Sequence, residues 1–87
     1  MKVKDNFILR RIAGESLLIP VGEAALSVKG LIALSESGCL LYERLQRDCS
    51  RQDLIDLLTD AYEVTEQTAG EDVDAFLEKM RMLDMLE

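Results

Sequence analysis

The side chains that most often perform chemistry in proteins are scarce in this sequence. There is no histidine among the 87 residues, which removes the commonest general base at neutral pH. The two cysteines, Cys39 and Cys49, have no base placed by a known motif and no further ligands to complete a zinc site. We expect Cys39 to pack in the core and Cys49 to be a free loop thiol. The residues therefore predict no catalytic group, no metal and no cofactor.

Carboxylates are plentiful, but their spacing indicates a solvated surface. Asp53, Asp56 and Asp60 lie three and four residues apart, which places them along one exposed face of a helix. Catalytic carboxylates need burial to shift their pKa values. The glycines are too widely separated for a phosphate-binding loop. We therefore expect a protein that is not an enzyme.

Charge is distributed unevenly along the chain. Residues 1–47 carry seven basic and five acidic side chains, whereas residues 48–87 carry three basic and twelve acidic side chains. Such a negative second half repels phosphate, so nucleic acid is not an expected partner. No apolar run approaches the roughly 18 residues of a membrane helix, and the amino terminus lacks a signal-peptide pattern. We expect a single cytoplasmic domain over residues 1–87 with no membrane contact.

Three strands are predicted in the first part of the chain. The stretches Phe7–Ala13 and Ser16–Val21 flank a glycine-containing turn, a pattern typical of a hairpin. After a loop over about residues 22–28, the apolar run Gly30–Leu34 predicts a third strand. Alternation along that strand assigns Ile32 and Leu34 mainly to the core, with Leu31 and Ala33 nearer to solvent or a ligand.

Three helices are predicted in the rest of the chain. Ser35 is a natural N-cap for a helix over about residues 36–46. Ser50 and Asp53 form a capping box for a second helix that ends near Tyr62. Thr65 caps a third helix over about residues 66–83, with one apolar stripe. The order of strands followed by helices predicts an α+β fold with a three-stranded antiparallel sheet.

The sequence resembles the PqqD family, named for coenzyme PQQ synthesis protein D, over residues 10–86. The resemblance is carried by these stretches in order: Gly14-Glu15, Leu18–Gly22, Lys29–Gly38, Leu41–Leu45, Ala61–Val64 and Asp72–Leu77. Family members are also called RiPP recognition elements, the leader-binding modules of ribosomally made, modified peptides. Asp84 departs from the glycine that is frequent at its position in the family.

The resemblance implies a winged-helix-like domain that binds the leader of a precursor peptide. The leader would add as a strand beside the third strand, in a groove completed by the third helix, and a radical SAM protein or another modifying enzyme would be the second partner. Strand addition needs an unpaired edge and nearby apolar pockets. The candidate peptide-binding residues are Lys29, Gly30, Leu31, Ile32, Ala33, Leu34, Asp72, Ala75, Phe76, Lys79, Met80 and Leu83.

Alternatives remain at this point. One is a winged-helix DNA-binding regulator, which the acidic third helix argues against. Another is a structural homodimer made by pairing of open strand edges; we expect a monomer or a weak homodimer formed through the third strand. For Ala33→Pro, the pattern predicts lost binding if the N–H of Ala33 faces the peptide, and an unfolded sheet if that N–H bonds inward.

Overall fold

The computed structural model describes residues 1–87, and its first two strands form the predicted hairpin. β1 (Phe7–Ile12) and β2 (Glu15–Pro20) pair antiparallel, with Ile12 opposite Glu15. The two turn residues, Ala13 and Gly14, have φ values of 53° and 81°. Two positive φ values in a two-residue loop define a type I′ turn, whose twist matches that of the strands.

β3 (Ile32–Leu34) pairs antiparallel with β2 and completes a sheet of order β1-β2-β3. The prediction that this strand begins at Gly30 is wrong by two residues. The register places Leu18 opposite Ile32, so Gly30 would lie opposite Pro20, which has no N–H to donate. Gly30 itself has a φ of 95°, outside the extended region.

A short helix, α1 (Ala24–Ser27), occupies the connection between β2 and β3. The sequence predicted a loop there, because four residues are too few to show a helical apolar pattern. Leu26 on this helix is 83% exposed. Its side chain therefore contributes nothing to the core.

The three longer helices are α2 (Glu36–Arg44), α3 (Arg51–Ala61) and α4 (Glu66–Met82). Ser35 and Thr65 accept a backbone N–H three residues ahead, and Ser50 with Asp53 forms the reciprocal capping box. These contacts confirm all three predicted helix starts. Each helix ends one or two residues before its predicted end, which is within the usual scatter of helix boundaries.

α4 ends in a Schellman motif centred on Asp84. The N–H of Met85 donates to the carbonyl of Met80 at 2.9 Å, and the N–H of Asp84 donates to that of Arg81 at 3.0 Å. Asp84 has a φ of 55°, the left-handed conformation that this motif requires and that glycine adopts most easily. Met80 and Met85 are both fully buried, as expected for the apolar contact that accompanies the motif.

The first four residues run between the α2–α3 connection and the carboxyl terminus. Val3 forms an isolated antiparallel bridge with Leu86 and donates its N–H to the carbonyl of Leu45 at 2.9 Å. Lys4 donates its N–H to the carbonyl of Met85 at 2.7 Å. Since Val3 is buried, this segment closes one end of the core, although its sequence shows no strand pattern.

The core lies between one face of the sheet and the three longer helices, with Leu18, Leu41, Leu54, Val73 and Met80 among its fully or almost fully buried members. This arrangement confirms the α+β fold. None of the helices is long and apolar enough to cross a membrane.

Cys49 is a free thiol in a loop, as the sequence predicts, but it is not accessible to solvent. Cys49 is buried, and burial raises the pKa of its thiol above the ordinary value. Its backbone N–H donates to the carbonyl of Met1 at 2.9 Å, so Cys49 lies next to the first residue of the chain. Cys39 is buried as expected, and neither cysteine forms a disulfide.

Candidate functional site

The hydrogen-bond pattern of the hairpin sets the direction of the backbone groups in the whole sheet. Val21 donates its N–H to the carbonyl of Asn6 at 3.0 Å, so the enclosed pair Phe7 and Pro20 is a non-hydrogen-bonded pair. Such pairs alternate with hydrogen-bonded ones along an antiparallel ladder. The residue after Gly14, Glu15, then forms a hydrogen-bonded pair with Ile12, as a two-residue turn requires.

By the same alternation, the β2 residues that form no backbone hydrogen bonds to β1 direct their backbone groups towards β3. Ser16 and Leu18 direct their backbone groups away from β1 and towards their partners Leu34 and Ile32. Ala33, between those partners, therefore directs its N–H and its carbonyl away from β2. No strand lies on that side, because β3 is the last strand of the sheet. The edge of β3 thus presents one unpaired donor and one unpaired acceptor from Ala33.

The side chains along β3 alternate as the sequence predicts. Ile32 and Leu34 are half-buried and pack against the core, whereas Ala33 is exposed and Leu31, just before the strand, is 55% exposed. The core contacts of Ile32 and Leu34 hold the strand in place. The open edge therefore belongs to a strand that is fixed by packing.

An open cavity of about 330 Å³ runs between the start of α2 and the exposed side of α4. We call it the α2–α4 trough, and its lining residues are Ser35, Ser37, Gly38, Leu41, Asp72, Ala75, Phe76 and Lys79. A second cavity of about 320 Å³ adjoins it, shares Ser35, Ser37 and Asp72, and extends to Tyr62 and Val64. Together the two cavities follow α4 from Asp72 to Lys79.

Gly38 brings the trough and β3 together. A Cβ atom at Gly38 would lie 3.5 Å from Cε1 of Phe76 and 3.6 Å from Cδ2 of Leu34. A glycine inside a helix costs about 1 kcal/mol relative to alanine, so its presence here is explained by this close packing. The half-buried ring of Phe76 and the side chain of Leu34, at the end of β3, therefore both lie beside Gly38.

The candidate residues do not all converge on one cavity. Asp72, Ala75, Phe76 and Lys79 line the α2–α4 trough. Leu83 lines a different cavity, of about 840 Å³, together with α1 and residues 4–6. Ala33 and Leu34 also line a cleft of about 560 Å³ beneath the hairpin turn. Lys29, Gly30 and Leu31 are exposed beside the start of β3.

Met80 must be removed from the candidate site. Its side chain is fully buried among core residues, so it cannot contact a peptide without opening the core. Met80 and Phe76 are four residues apart and belong to the same apolar stripe. The packing of α4 turns Met80 inwards and leaves Phe76 at the margin of the trough.

The sequence missed the contribution of α2 to the site. Ser35, Ser37 and Gly38 line the trough, and Leu41 lies at its base. The hydroxyl of Ser35 accepts the N–H of Gly38 at 3.1 Å and lies 3.2 Å from the hydroxyl of Ser37. The small residues around an N-cap were the available signal, because they leave room for a ligand at the start of a helix.

The two charged residues of the trough have no ion-pair partner. Asp72 and Lys79 are exposed and lie seven residues apart, about two helical turns. Asp74, on another side of α4, accepts two hydrogen bonds from Arg51 of α3, at 2.7 and 3.0 Å. That guanidinium lowers the pKa of the Asp74 carboxyl. The bidentate contact also holds α4 in one rotational orientation about its axis relative to α3.

The arrangement provides binding groups and no evident nucleophile or acid–base pair. An edge with an outward N–H and carbonyl beside an apolar groove can receive an extended peptide as an additional strand. The exposed surface of α4 is rich in carboxylates, among them Glu66, Glu71, Asp72 and Glu78. This surface is unfavourable for contact with a phosphate backbone.

Comparisons with known proteins give the family and the fold of the chain. The model of the family "Coenzyme PQQ synthesis protein D (PqqD)" matches residues 15–86. The solved structure of TbiB1 in complex with the TbiA(beta) leader peptide is 21% identical, with a TM-score of 0.78 over 100% of this chain and 95% of that chain. Lasso peptide synthetase B1 complexed with the leader peptide is 19% identical, with a TM-score of 0.75 over 97% and 93% of the two chains.

No curated protein matches the chain. The two solved structures share its fold, and β1 precedes the residues that the family model matches. The match to residues 15–86 includes β2, β3 and all four helices, and thus both sides of the candidate site. The chain therefore belongs to the PqqD family.

Proposed function

We propose that this protein is a non-catalytic adaptor that binds the leader segment of a ribosomally made precursor peptide by strand addition to β3. The observation that carries the proposal is the backbone of Ala33, whose N–H and carbonyl point to an open edge beside the α2–α4 trough. Main-chain bonds would give affinity for an extended chain, and the trough would select side chains. The two structural neighbours, both solved with leader peptides, support this use of the fold.

The shortness of β3 makes the trough essential to affinity. Within the strand, only Ala33 offers outward groups, and two backbone hydrogen bonds contribute about 1–3 kcal/mol in net terms. A micromolar complex requires about 8 kcal/mol, and binding also costs conformational entropy. Apolar leader side chains that become buried, at about 1.5–3 kcal/mol each, must supply the remainder. We therefore expect a leader with at least two apolar anchors, one of them against Phe76.

The charges of the trough would then set the position of the leader. Asp72 and Lys79 are exposed and unpaired, so each can meet an opposite charge on the peptide. Exposed ion pairs contribute only about 0–1 kcal/mol each. Their role is therefore to favour one register over others, while the apolar anchors supply the affinity.

The second partner in this proposal is a modifying enzyme, such as a radical SAM protein, to which the adaptor presents the leader-bound precursor. Two buried cysteines that form no disulfide fit a cytoplasmic setting for this step. The test is a reconstituted modification reaction in which the precursor and its enzyme react with and without this protein. An unchanged rate on adding the adaptor would contradict the assignment of this partner.

The test of leader binding is an amide NMR titration with the cognate leader peptide. We expect the largest shifts at residues 31–35 and 72–79, and small shifts at the start of α3. Two N-methylated leaders, methylated at neighbouring residues, extend the test. Because backbone groups alternate along a strand, the peptide methylated at the residue facing Ala33 should bind much more weakly than the other. Equal affinities, or shifts confined to α3, would contradict strand addition.

A further inference from the structure

The sheet has a second face, turned away from the helices, that is unusually apolar. Successive side chains of a strand point to opposite faces of the sheet. Because Leu18 and Ile32 point into the core, the residues that alternate with them lie on the other face. We call this the outer face, and its residues are Ile8, Arg10, Ile12, Glu15, Leu17, Ile19 and Ala33. Five of these seven side chains are apolar, whereas an antiparallel sheet with one solvated face normally alternates apolar with polar residues.

No element of the chain covers the outer face. Ile8 and Ile12 are 37% and 50% exposed, and neither they nor Leu17 and Ile19 belong to the core cluster or pack against it. The three longer helices follow β3 in the chain and pack with the other face of the sheet around the core. Contiguous apolar surface of this kind marks an interaction site in soluble proteins.

The charged residues of the outer face indicate what covers it. Arg10 and Glu15 are its only charged members, and neither forms an ion pair within the chain. They lie on adjacent strands, on a diagonal: Arg10 is opposite Leu17, and Glu15 is opposite Ile12. If two copies of this face meet across a two-fold axis, the positive charge of each copy can lie opposite the negative charge of the other.

We propose that the outer face binds the outer face of a second copy of this chain, so that two sheets pack into a sandwich about 10 Å deep. Each Arg10 then pairs with Glu15 of the other copy, and Ile8, Ile12, Leu17 and Ile19 fill the space between the sheets. Without such pairing, burial in the interface would desolvate the Arg10 guanidinium without providing a new partner, which costs free energy.

The interface of this dimer is small, so we expect the dimer to be weak. The interface consists of two six-residue strands and one three-residue strand from each copy, which is small against the roughly 800 Å² per partner of a standard interface. The open edge of β3 stays free in this arrangement, because sheets that stack face to face do not use their edges. This dimer therefore differs from pairing through β3, and it leaves two peptide-binding edges available.

The experiment is sedimentation equilibrium of the full chain at roughly 10–1,000 μM, the range that brackets a weak complex. We expect the monomer to convert to a dimer within this range. The double variant Ile8→Thr and Ile12→Thr keeps β-branched side chains on β1 but removes apolar surface, and it should weaken the dimer at least about tenfold. Leu26→Ser, at an exposed leucine outside the outer face, is the control and should leave the dimer unchanged.

Charge reversal tests the pairing itself. Arg10→Glu and Glu15→Arg should each weaken the dimer, since each places like charges together, and the combined variant R10E/E15R should restore it. Circular dichroism should show that all variants keep the fold. A chain that stays monomeric over the whole range overturns the proposal, as does a dimer that R10E/E15R fails to restore. A dimer that only Ala33→Pro disrupts also overturns it, because that result assigns the contact to the β3 edge.

Discussion

Gly38 faces Phe76 at the α2–α4 trough, where a Cβ atom at position 38 would lie only 3.5 Å from Cε1 of Phe76. That position is also 3.2 Å from Oγ of Ser35. The missing side chain therefore keeps the space in which a peptide anchor would meet the aromatic ring. If a leader side chain binds in the trough as proposed, a residue larger than alanine at this point of α2 would compete with it.

The first prediction concerns this glycine. Gly38→Val should reduce leader affinity at least about tenfold and destabilise the fold by about 1–3 kcal/mol, because added methyl groups overpack the contact with Phe76. Gly38→Ala is the matched comparison: its single methyl crowds Ser35, but it gains about 1 kcal/mol of helix propensity. Isothermal titration and urea unfolding measure both effects. Equal leader affinity for the valine variant and the native chain would show that the peptide does not enter the trough.

The second prediction separates the two possible outcomes for Ala33→Pro. The ladder directs the N–H of Ala33 to the open edge, so proline removes a donor that no residue of the sheet uses. We expect the variant to fold and to lose leader binding by about tenfold or more. Ala33→Ser retains the N–H and should bind almost normally. A proline variant that fails to fold would show that this N–H bonds to β2.

The third prediction concerns the hairpin turn. Ala13 has a φ of 53°, a conformation that costs a residue with a Cβ about 1–2 kcal/mol. Asparagine adopts it more readily, and Asn-Gly is the favoured pair for a type I′ turn. Ala13→Asn should therefore stabilise the protein by about 0.5–1 kcal/mol, measured by urea unfolding. Ala13→Val, which is worse suited to positive φ, should have the opposite effect.

The fourth prediction concerns the end of α4. Asp84 has a φ of 55° and its carboxylate forms an exposed ion pair with Lys4 at 2.7 Å. Asp84→Gly and Asp84→Ala both remove this pair, so the difference between them reports the backbone alone. The glycine variant should be more stable than the alanine variant by about 1 kcal/mol. Equal midpoints in thermal unfolding would contradict the Schellman motif.

The fifth prediction concerns acid stability. The carboxylate of Asp53 accepts the N–H of Ser50 at 2.9 Å, and this bond lowers the pKa of Asp53 in the folded state. The ionised Asp53 carboxylate therefore contributes to the free energy of unfolding at pH values above its unfolded pKa of about 3.9. This contribution is lost as the pH falls through the lower pKa of the folded state.

Asp53→Asn keeps an oxygen that can accept the same N–H but does not titrate. We expect its unfolding free energy to fall less than that of the native chain when the pH drops from about 5 to about 2.5. Asp60→Asn removes the same charge at an exposed position without an ion pair and serves as the control. If both variants show the same pH dependence, the capping box is not the cause.

Local chemistry in the sequence was enough to predict most of the elements. Ser35, Ser50 and Thr65 satisfy backbone donors of the following turn, and this needs no residue from elsewhere in the chain. The hairpin turn and the alternation of Ile32 with Ala33 are equally local, since a strand places successive side chains on opposite faces. The open edge of β3 followed from having only three strands.

The tertiary structure alone decided which residues of α4 face the ligand. Phe76 and Met80 share one apolar stripe, and only the packing of α4 against α3, with the Arg51–Asp74 contact, turns Met80 into the core. The bridge between Val3 and Leu86 joins the two ends of the chain, and Pro20 shortens β3 through the register of a neighbouring strand. These features depend on partners distant in the chain. Because each is fixed by burial and pairing across the fold, spacing along the sequence carries no signal for them.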